Sequence, residues 1–367
     1  MTARAGEMPW WADAFMLPLL NLALAFLVSG AVIYAIGESP LECTQILLRG
    51  AFGSGEGVGY TLFYATNFIF TGLAFAVAAH AGLFNIGVEG QAYIGGLGVA
   101  VASLYFENLP QPLVILLAVI LSAAFGAAWA FIPAILQAKR GSHLVITTMM
   151  FNFIASALMV YLLVNFLKPA GDMAPESRTF IANAQLPHIR DLLGFDTSKS
   201  PLNLAFVWAL ICAAGVWLLI WRTRLGYELR TLGASPGAAR YAGMPVTQLT
   251  IIALMISGAL GGFLALNEVM GSQNRVFEAF SGGYGFVGIA VALMGRSRST
   301  GIILAAILFG ALYQGGAELA FDKPAITRDM IVLVQGLVIL SVGALEHLFR
   351  PALTRAFALR AGLGEAA

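Results

Sequence analysis

Charge is what this sequence has least of. Only 11% of its 367 residues are Asp, Glu, Lys or Arg, against about a quarter in soluble domains. No polar stretch is long enough to fold as a separate domain, so a soluble globular protein is excluded. Cysteine is nearly absent as well. Cys43 and Cys212 stand far apart, form no C-x-x-C or metal-ligand pattern, and read as packing residues. The four histidines, His80, His143, His188 and His347, are scattered, and none belongs to an H-E-x-x-H; no metal centre is expected. No G-x-x-x-x-G-K-[ST] occurs, so this chain is not expected to bind ATP through a P-loop of its own. A nucleophile with an adjacent base cannot be assembled, and an enzyme is not expected. The net charge of +1 is spread over loops, which leaves no basic patch for nucleic acid.

What the chain has instead is apolar sequence. Hydrophobic residues make up 59% of it, and the mean hydropathy is +0.84. Apolar runs of about twenty residues recur along its length, as in helical membrane proteins. The expected fold is an all-α polytopic membrane protein with about ten spans: 14–36, 60–80, 86–106, 112–137, 143–166, 203–221, 247–269, 283–295, 299–320 and 329–347. Trp10 and Trp11 before the first run suit an interfacial anchor on an uncleaved first span. The eighth run is too short to cross as an ordinary helix, and the third opens on glycines.

Ten spans place both termini on one side. With the N-terminus inside, inner segments hold 12 Lys or Arg and outer segments 8, and the outer segments are longer; this bias orients both termini to the cytoplasm. Dividing ten spans into five and five turns the second half upside down relative to the first, the arithmetic of an inverted repeat. The expected organisation is one membrane domain over 1–367: a first half 1–166, an outer loop 167–202, a second half 203–348 and a tail 349–367. "LFNIGVEGQAYIGG" and "YGFVGIAVALMG" occupy corresponding places in the two halves. Gly258 and Gly262 form a GxxxG, which reads as helix packing within one chain rather than a dimer face.

The polar residues in this apolar setting are the candidates for function. In "GLFNIGVEGQ", residues 82–91, Asn85, Glu89 and Gln91 stand among three glycines. On a continuous helix Asn85, Glu89, Tyr93 and Gly96 would share a face. Two readings of Glu89 stand side by side. It bonds free backbone amides or a polar partner at a broken helix lining a pathway, or it is an interfacial carboxylate favoured by a helix N-terminus. Asn67, Asn152, Asn267, Glu268 and Gln314 also lie in or beside spans; each lines a polar passage or makes an interhelical hydrogen bond.

The segment 222–246, "RTRLGYELRTLGASPGAARYAGMPV", predicts a short helix over 236–242. Ser235 suits the N-cap, Pro236 the first helical position and Gly243 the C-cap, with Pro245 stopping continuation. A helix that short needs something to pack on. It rests on its own membrane domain, or it is a knob that docks into a second protein.

With these residues in view, the chain resembles the membrane permease subunits of bacterial ABC importers, in the nucleoside and simple-sugar branch. The resemblance is carried by "YTLFYATNFIFTGLAFAVAAHAGLFNIGVEGQAYIGG", "GSHLVITTMMFNFIA", "GYELRTLGASPGAARYAGMPV" and "GFVGIAVALMGRSRSTGIILAAILFGAL", between about residues 60 and 345. It implies two inverted five-helix halves and a short cytoplasmic coupling helix. It implies three kinds of partner: a second permease subunit, related or identical; cytoplasmic ATPase subunits, which would use the ATP; and an extracytoplasmic substrate-binding protein. Carried onto this chain, the coupling segment comprises Arg230, Gly233, Ala238, Ala239, Arg240 and Gly243. Asn85, Glu89 and Gln91, with Asn67, Asn152 and Asn267, become candidates for a broken helix beside the passage. The alternative is an ion-coupled secondary transporter of a small polar solute. That reading expects carboxylates well inside spans, whereas here they cluster at span ends.

Overall fold

The order of helices along the chain follows its apolar runs, with three additions. A computed structural model describes residues 16–171, 173–193, 200–323, 326–327 and 330–337. Among these, regular structure is helical: α1 (Leu17–Ala35), α2 (Pro40–Phe52), α3 (Gly55–His80), α4 (Val88–Tyr105), α5 (Gln111–Arg140), α6 (Leu144–Leu162), α7 (Ile189–Leu193), α8 (Ala205–Arg222), α9 (Arg224–Ala234), α10 (Pro236–Tyr241), α11 (Val246–Gly262), α12 (Tyr284–Met294) and α13 (Ser299–Asp322). A π-helical turn, Leu163–Leu167, extends α6, and a longer one, Leu266–Gln273, follows α11.

Among the described residues, six helices are long and apolar enough to cross a membrane: α3, α5, α6 with its extension, α8, α11 with its extension, and α13. A seventh span is available if α1 and α2 act together, although they bend by 119° at their junction. The chain is a multi-pass membrane protein. The expected third and eighth spans correspond to the shorter α4 and α12, of 18 and 11 residues. Of the expected tenth span, 330–337 is helical; the remainder of 329–347, the tail from 349, and residues 1–15 with Arg4 and the Trp10–Trp11 anchor lie outside the described residues.

The additions are the one-turn α7, α2 and α9, all in segments expected to be loops. The apolar residues of α2 and α9 recur at helical spacing but are interrupted by Glu42 and Arg49, or by Arg224, Glu228 and Arg230. A search for long apolar runs passes over such amphipathic stretches.

The chain divides into two compact units, with boundaries at Gly50–Ala51 and Gln314–Gly315. In the unit of terminal segments, Ile33, Cys43, Leu319 and Ile326 form a core. Lys323 bridges Glu38 at 3.2 Å and Glu42 at 3.0 Å. Gly315 brings two backbones together there: a Cβ on it would lie 2.3 Å from the Leu47 carbonyl oxygen.

In the unit 51–314, burial sorts the helices into an inner and an outer group. Some 83% of the apolar window of α3 is buried and 72% of that of α11 and its extension, against 28% for α5, 22% for α6 and 28% for α8. A helix apolar all round and exposed on most of its surface suits lipid, so α5, α6 and α8 form the bilayer-facing layer. Lipid tails are as apolar as leucine, so close backbone approach and interhelical hydrogen bonds must hold the layers together. Glycine supplies the approach. A Cβ on Gly126 of α5 would lie 2.2 Å from the carbonyl oxygen of Gly258 on α11, and one on Gly262 would lie 2.3 Å from that of Ser122. Gly95 of α4 meets the same junction, its Cβ position 2.4 Å from the Gly262 Cα. The GxxxG of Gly258 and Gly262 therefore packs inside the chain.

Loop contacts mark two ends of this unit. At one end His80 Nε2 donates to the Ser297 carbonyl at 3.0 Å, and Gly233 packs on the His80 carbonyl and Gly82. At the opposite end the segment 173–193 is fastened in place. Arg178 pairs with Glu107 at 2.9 Å and Arg275 with Glu176 at 2.6 Å. Backbone bonds join Ser177 to Val276, Phe180 to Asn274 and Leu186 to Met270. This part of the outer loop is a fitted cap, not a slack tether.

Candidate functional site

Two helices of the unit 51–314 begin after unwound segments. After α3, residues 82–87 run without helix until Gly87 caps α4. Before α12, Gly282 and Gly283 take φ of 54° and 80°, a left-handed backbone that glycine adopts without steric cost. At 1.5 Å per residue, α12 is only about 16 Å long, so its N-terminus lies well short of a full crossing. The two helix starts meet at one side chain. Glu89, in the first turn of α4 and only 6% exposed, reaches across to the start of α12. Its Oε1 accepts from Ser281 Oγ at 2.5 Å and from the Gly283 amide at 3.0 Å; its Oε2 accepts from the Gly285 amide at 2.8 Å. The first amides of a helix have no partner within it, and a helix N-terminus favours negative charge. Glu89 therefore serves the N-termini of both helices at once. No room remains for a larger residue beneath it, since a Cβ on Gly285 would lie 2.5 Å from the Glu89 nitrogen.

Other polar side chains close the unwound segment before α4. Asn85 Oδ1 accepts from the Gly87 amide at 2.9 Å, while its Nδ2 donates to Ser257 Oγ at 2.8 Å and to Gln91 Oε1 at 3.2 Å. Ser257 in turn donates to the Ala74 carbonyl at 2.6 Å. From α6, Asn152 accepts from the Gly90 amide at 2.9 Å and donates to the Ile86 carbonyl at 3.0 Å. Asn85 precedes the helix, so it does not share the face expected for Asn85, Glu89, Tyr93 and Gly96. The last three do turn toward the segment before α12: Glu89 bonds Ser281, the Tyr93 ring lies 5.3 Å from that of Phe280, and a Cβ on Gly96 would meet Phe280 at 2.5 Å.

A second polar chain crosses the interior. Asn67 of α3 donates to Glu268 at 2.5 Å; Asn267 donates to Asn67 Oδ1 at 2.8 Å and to the Phe63 carbonyl at 3.1 Å; Asn203 donates to Asn267 Oδ1 at 3.0 Å. Asn67 and Asn203 are wholly buried and Asn267 almost so. Asn267 and Glu268 stand in the π-helical stretch, whose wider turn leaves backbone carbonyls offset from the ordinary ladder. Within the chain these amides face one another. Ser281 escapes a reading of spans because it sits in a turn, although the "SGG" before a short apolar run is a turn signal; Asn203 opens the expected sixth span and forms an isolated bridge with His188.

The segment after α8 forms a hairpin of two helices. Thr223 caps α9, accepting from the Gly226 amide at 3.1 Å, and a Cβ on Gly226 would lie 2.1 Å from the Leu219 carbonyl. Arg230 lays its guanidinium over the Trp221 ring at 4.7 Å, the range of a cation–π contact. Ser235 caps α10, its Oγ accepting from the Ala238 amide at 3.2 Å. At the other end the Gly243 amide donates to the Arg240 carbonyl and that of Met244 to the Ala239 carbonyl, with Gly243 at φ 74°. That pair of bonds is a Schellman motif. Ala239 is the buried anchor of α10, whereas Ala238, Arg240, Tyr241 and Gly243 are exposed. Residues 233–237, "GASPG", also spell G-x-S-x-G. That string follows a helix rather than a strand and Ser235 serves as a cap, so it is no nucleophile elbow.

Residues 57–343 match the family described as the branched-chain amino acid transport system permease component. The chain belongs to that family. The guanosine ABC transporter permease NupP of Bacillus subtilis is 34% identical over 90% of this chain and 93% of its own. The nucleoside ABC transporter permease NupB of Lactococcus lactis subsp. cremoris is 32% identical over 94% of this chain and 95% of its own. The glucose ABC transporter permease TsgB13 of Haloferax volcanii is 33% identical over 90% and 87%. The chain is accordingly a transmembrane permease subunit of an ABC importer.

Proposed function

We propose that this permease imports a nucleoside or a related sugar-containing solute across a bacterial cytoplasmic membrane, with both termini on the cytoplasmic side. Two of the three relatives described are named for nucleosides and the third for glucose. ATP is hydrolysed by partner ATPase subunits, a second permease completes the passage, and an extracytoplasmic binding protein delivers the solute to the end capped by 173–193. The short α4 and α12, each starting after an unwound segment in its half of the chain, support the inverted repeat of five and five spans. In such repeats the helix breaks meet at the centre.

The observation that carries the coupling is α10. Its six residues are too few to be stable alone, yet it is capped at both ends, anchored by Ala239 and otherwise exposed. It is a rigid knob presented on a short hairpin. An ATPase cleft closing around it transmits motion through Gly233 to the start of the 82–87 segment, where the Gly233 Cβ position is 2.8 Å from the Gly82 nitrogen. Asn85, Gln91 and Asn152 then hold the unwound backbone together while the helices rock.

The test is Gly243→Val. A β-branched residue at positive φ is a steric outlier, but nothing lies within 4 Å of a Cβ there, so the substitution unseats the end of α10 without crowding the membrane helices. The permease should insert at the wild-type level and lose most of its co-purifying ATPase; full retention of ATPase and uptake would remove α10 from the coupling role.

A further inference from the structure

Where α3, α12 and α13 approach one another within residues 51–314, four aromatic rings converge. Tyr64, Tyr284 and Tyr313 form a triangle, with centroids 6.3 Å apart for Tyr64–Tyr284, 5.7 Å for Tyr64–Tyr313 and 5.8 Å for Tyr284–Tyr313. Phe68 lies beneath, 5.5 Å from Tyr284 and 5.0 Å from Tyr313. Phe68 is wholly buried, while the three tyrosines are half-buried. The result is an aromatic cluster with Phe68 as its buried base and three partly exposed tyrosine rings over it.

Its depth distinguishes it from an interfacial anchor. Membrane-belt tyrosines sit at span ends. Tyr64 lies nine residues inside α3 from Gly55 and sixteen from His80, about 14 Å and 24 Å along the axis. Tyr313 lies fourteen residues from Ser299 and nine from Asp322, about 21 Å and 14 Å. Partly exposed aromatic faces at such depth suit the ring of a ligand better than an interfacial anchor. Tyr284 is also the first residue of α12, next to the Gly282–Gly283 turn that Glu89 holds, so the cluster is tied to one of the two helix breaks.

We propose that Tyr64, Tyr284 and Tyr313, with Phe68 at their base, form a stacking station that receives the uncharged planar ring of the solute during its passage. The cluster contains no charged side chain. Aromatic faces bind bases of any sequence, because every base has a π-face. The chemistry of the four rings fits a neutral nucleoside. The inference rests on the importer reading above.

The test uses the complete transporter expressed in its native host, with each tyrosine changed to Leu and, separately, to Phe, and labelled guanosine and glucose as the two probes. Each Leu variant should lower the initial rate of guanosine uptake at least about fivefold, the range seen when one stacking ring is removed. Each Phe variant should stay within about twofold of wild type, and all should assemble at the wild-type level. Wild-type guanosine rates in the Leu variants overturn the stacking station while leaving the importer reading intact. A fall that merely follows complex yield also overturns it, since the rings are then packing or subunit contacts. If the wild-type transporter carries neither probe, the solute reading fails and this inference with it.

Discussion

Replacing Glu89 with alanine should deplete the assembled transporter by an order of magnitude or more. The side chain is the acceptor for Ser281 Oγ and for the amides of Gly283 and Gly285, all at a buried junction of two helix starts. Each donor left without a partner costs on the order of 1–3 kcal/mol, and water cannot substitute freely inside a membrane. The sum reaches the range in which single substitutions unfold marginal proteins. Glu89→Gln separates shape from chemistry. Its amide oxygen still accepts, but its NH2 must face one of three donors, so the clasp is broken at one bond and kept at the others. Assembly should fall in the order wild type, Gln, Ala, read by size-exclusion yield and thermal stability in mild detergent. The choice of solute should not change. A Gln variant that assembles normally but carries a different solute would mean that Glu89 contacts the cargo instead of the backbone.

The glycine junction should be as unforgiving. Gly126→Ala places a methyl group 2.2 Å from the Gly258 carbonyl oxygen, and Gly262→Ala places one 2.3 Å from that of Ser122. The obstruction in each case is backbone, which cannot rotate aside as a side chain does, so α5 and α11 must move apart. Overpacking costs about 1–3 kcal/mol when side chains can adjust, and more is expected where they cannot. Gly215→Ala on α8 is the control, because nothing lies within 4 Å of a Cβ there, and alanine favours a helix by about 1 kcal/mol over glycine. Membrane-inserted yield should therefore collapse for Gly126→Ala and Gly262→Ala and hold or rise for Gly215→Ala. Equal yields from all three would contradict the close approach of α4, α5 and α11.

Much of this architecture can be read from the residues because lipid enforces simple rules. Apolar runs of sufficient length become helices, since no other element satisfies its own backbone there; α3, α5, α6, α8, α11 and α13 all follow. The caps of α10 were legible for the same kind of reason: Ser, Pro and Gly each have one dominant use at a helix end. Asn85 could be assigned to backbone satisfaction because an unwound segment in a membrane must find donors and acceptors locally, whereas Gln91 bonds the Asn85 side chain instead of backbone. The partner of Glu89 could not be read. Ser281 and Gly283 lie more than 190 positions away, and a pairing that distant leaves no local pattern. The Asn67–Asn267–Asn203 chain was hidden similarly: its members appear separately as lone polar residues, and only the crossing of α3 with the π-helical stretch joins them. The amphipathic α2 and α9 were missed because a span search rewards length and uniform apolarity, and they have neither.

The claim on which the rest depends is that this chain moves solute with energy supplied through α10 by ATP-hydrolysing partners. The most direct measurement is uptake of labelled guanosine into vesicles reconstituted with the complex purified from the native host, with and without ATP, and with ionophores that dissipate ion gradients. Uptake that requires hydrolysable ATP, persists with ionophores and falls with Gly243→Val is the predicted result. Uptake by the chain alone, without ATP and abolished by ionophores, would contradict it and make the protein an ion-coupled transporter.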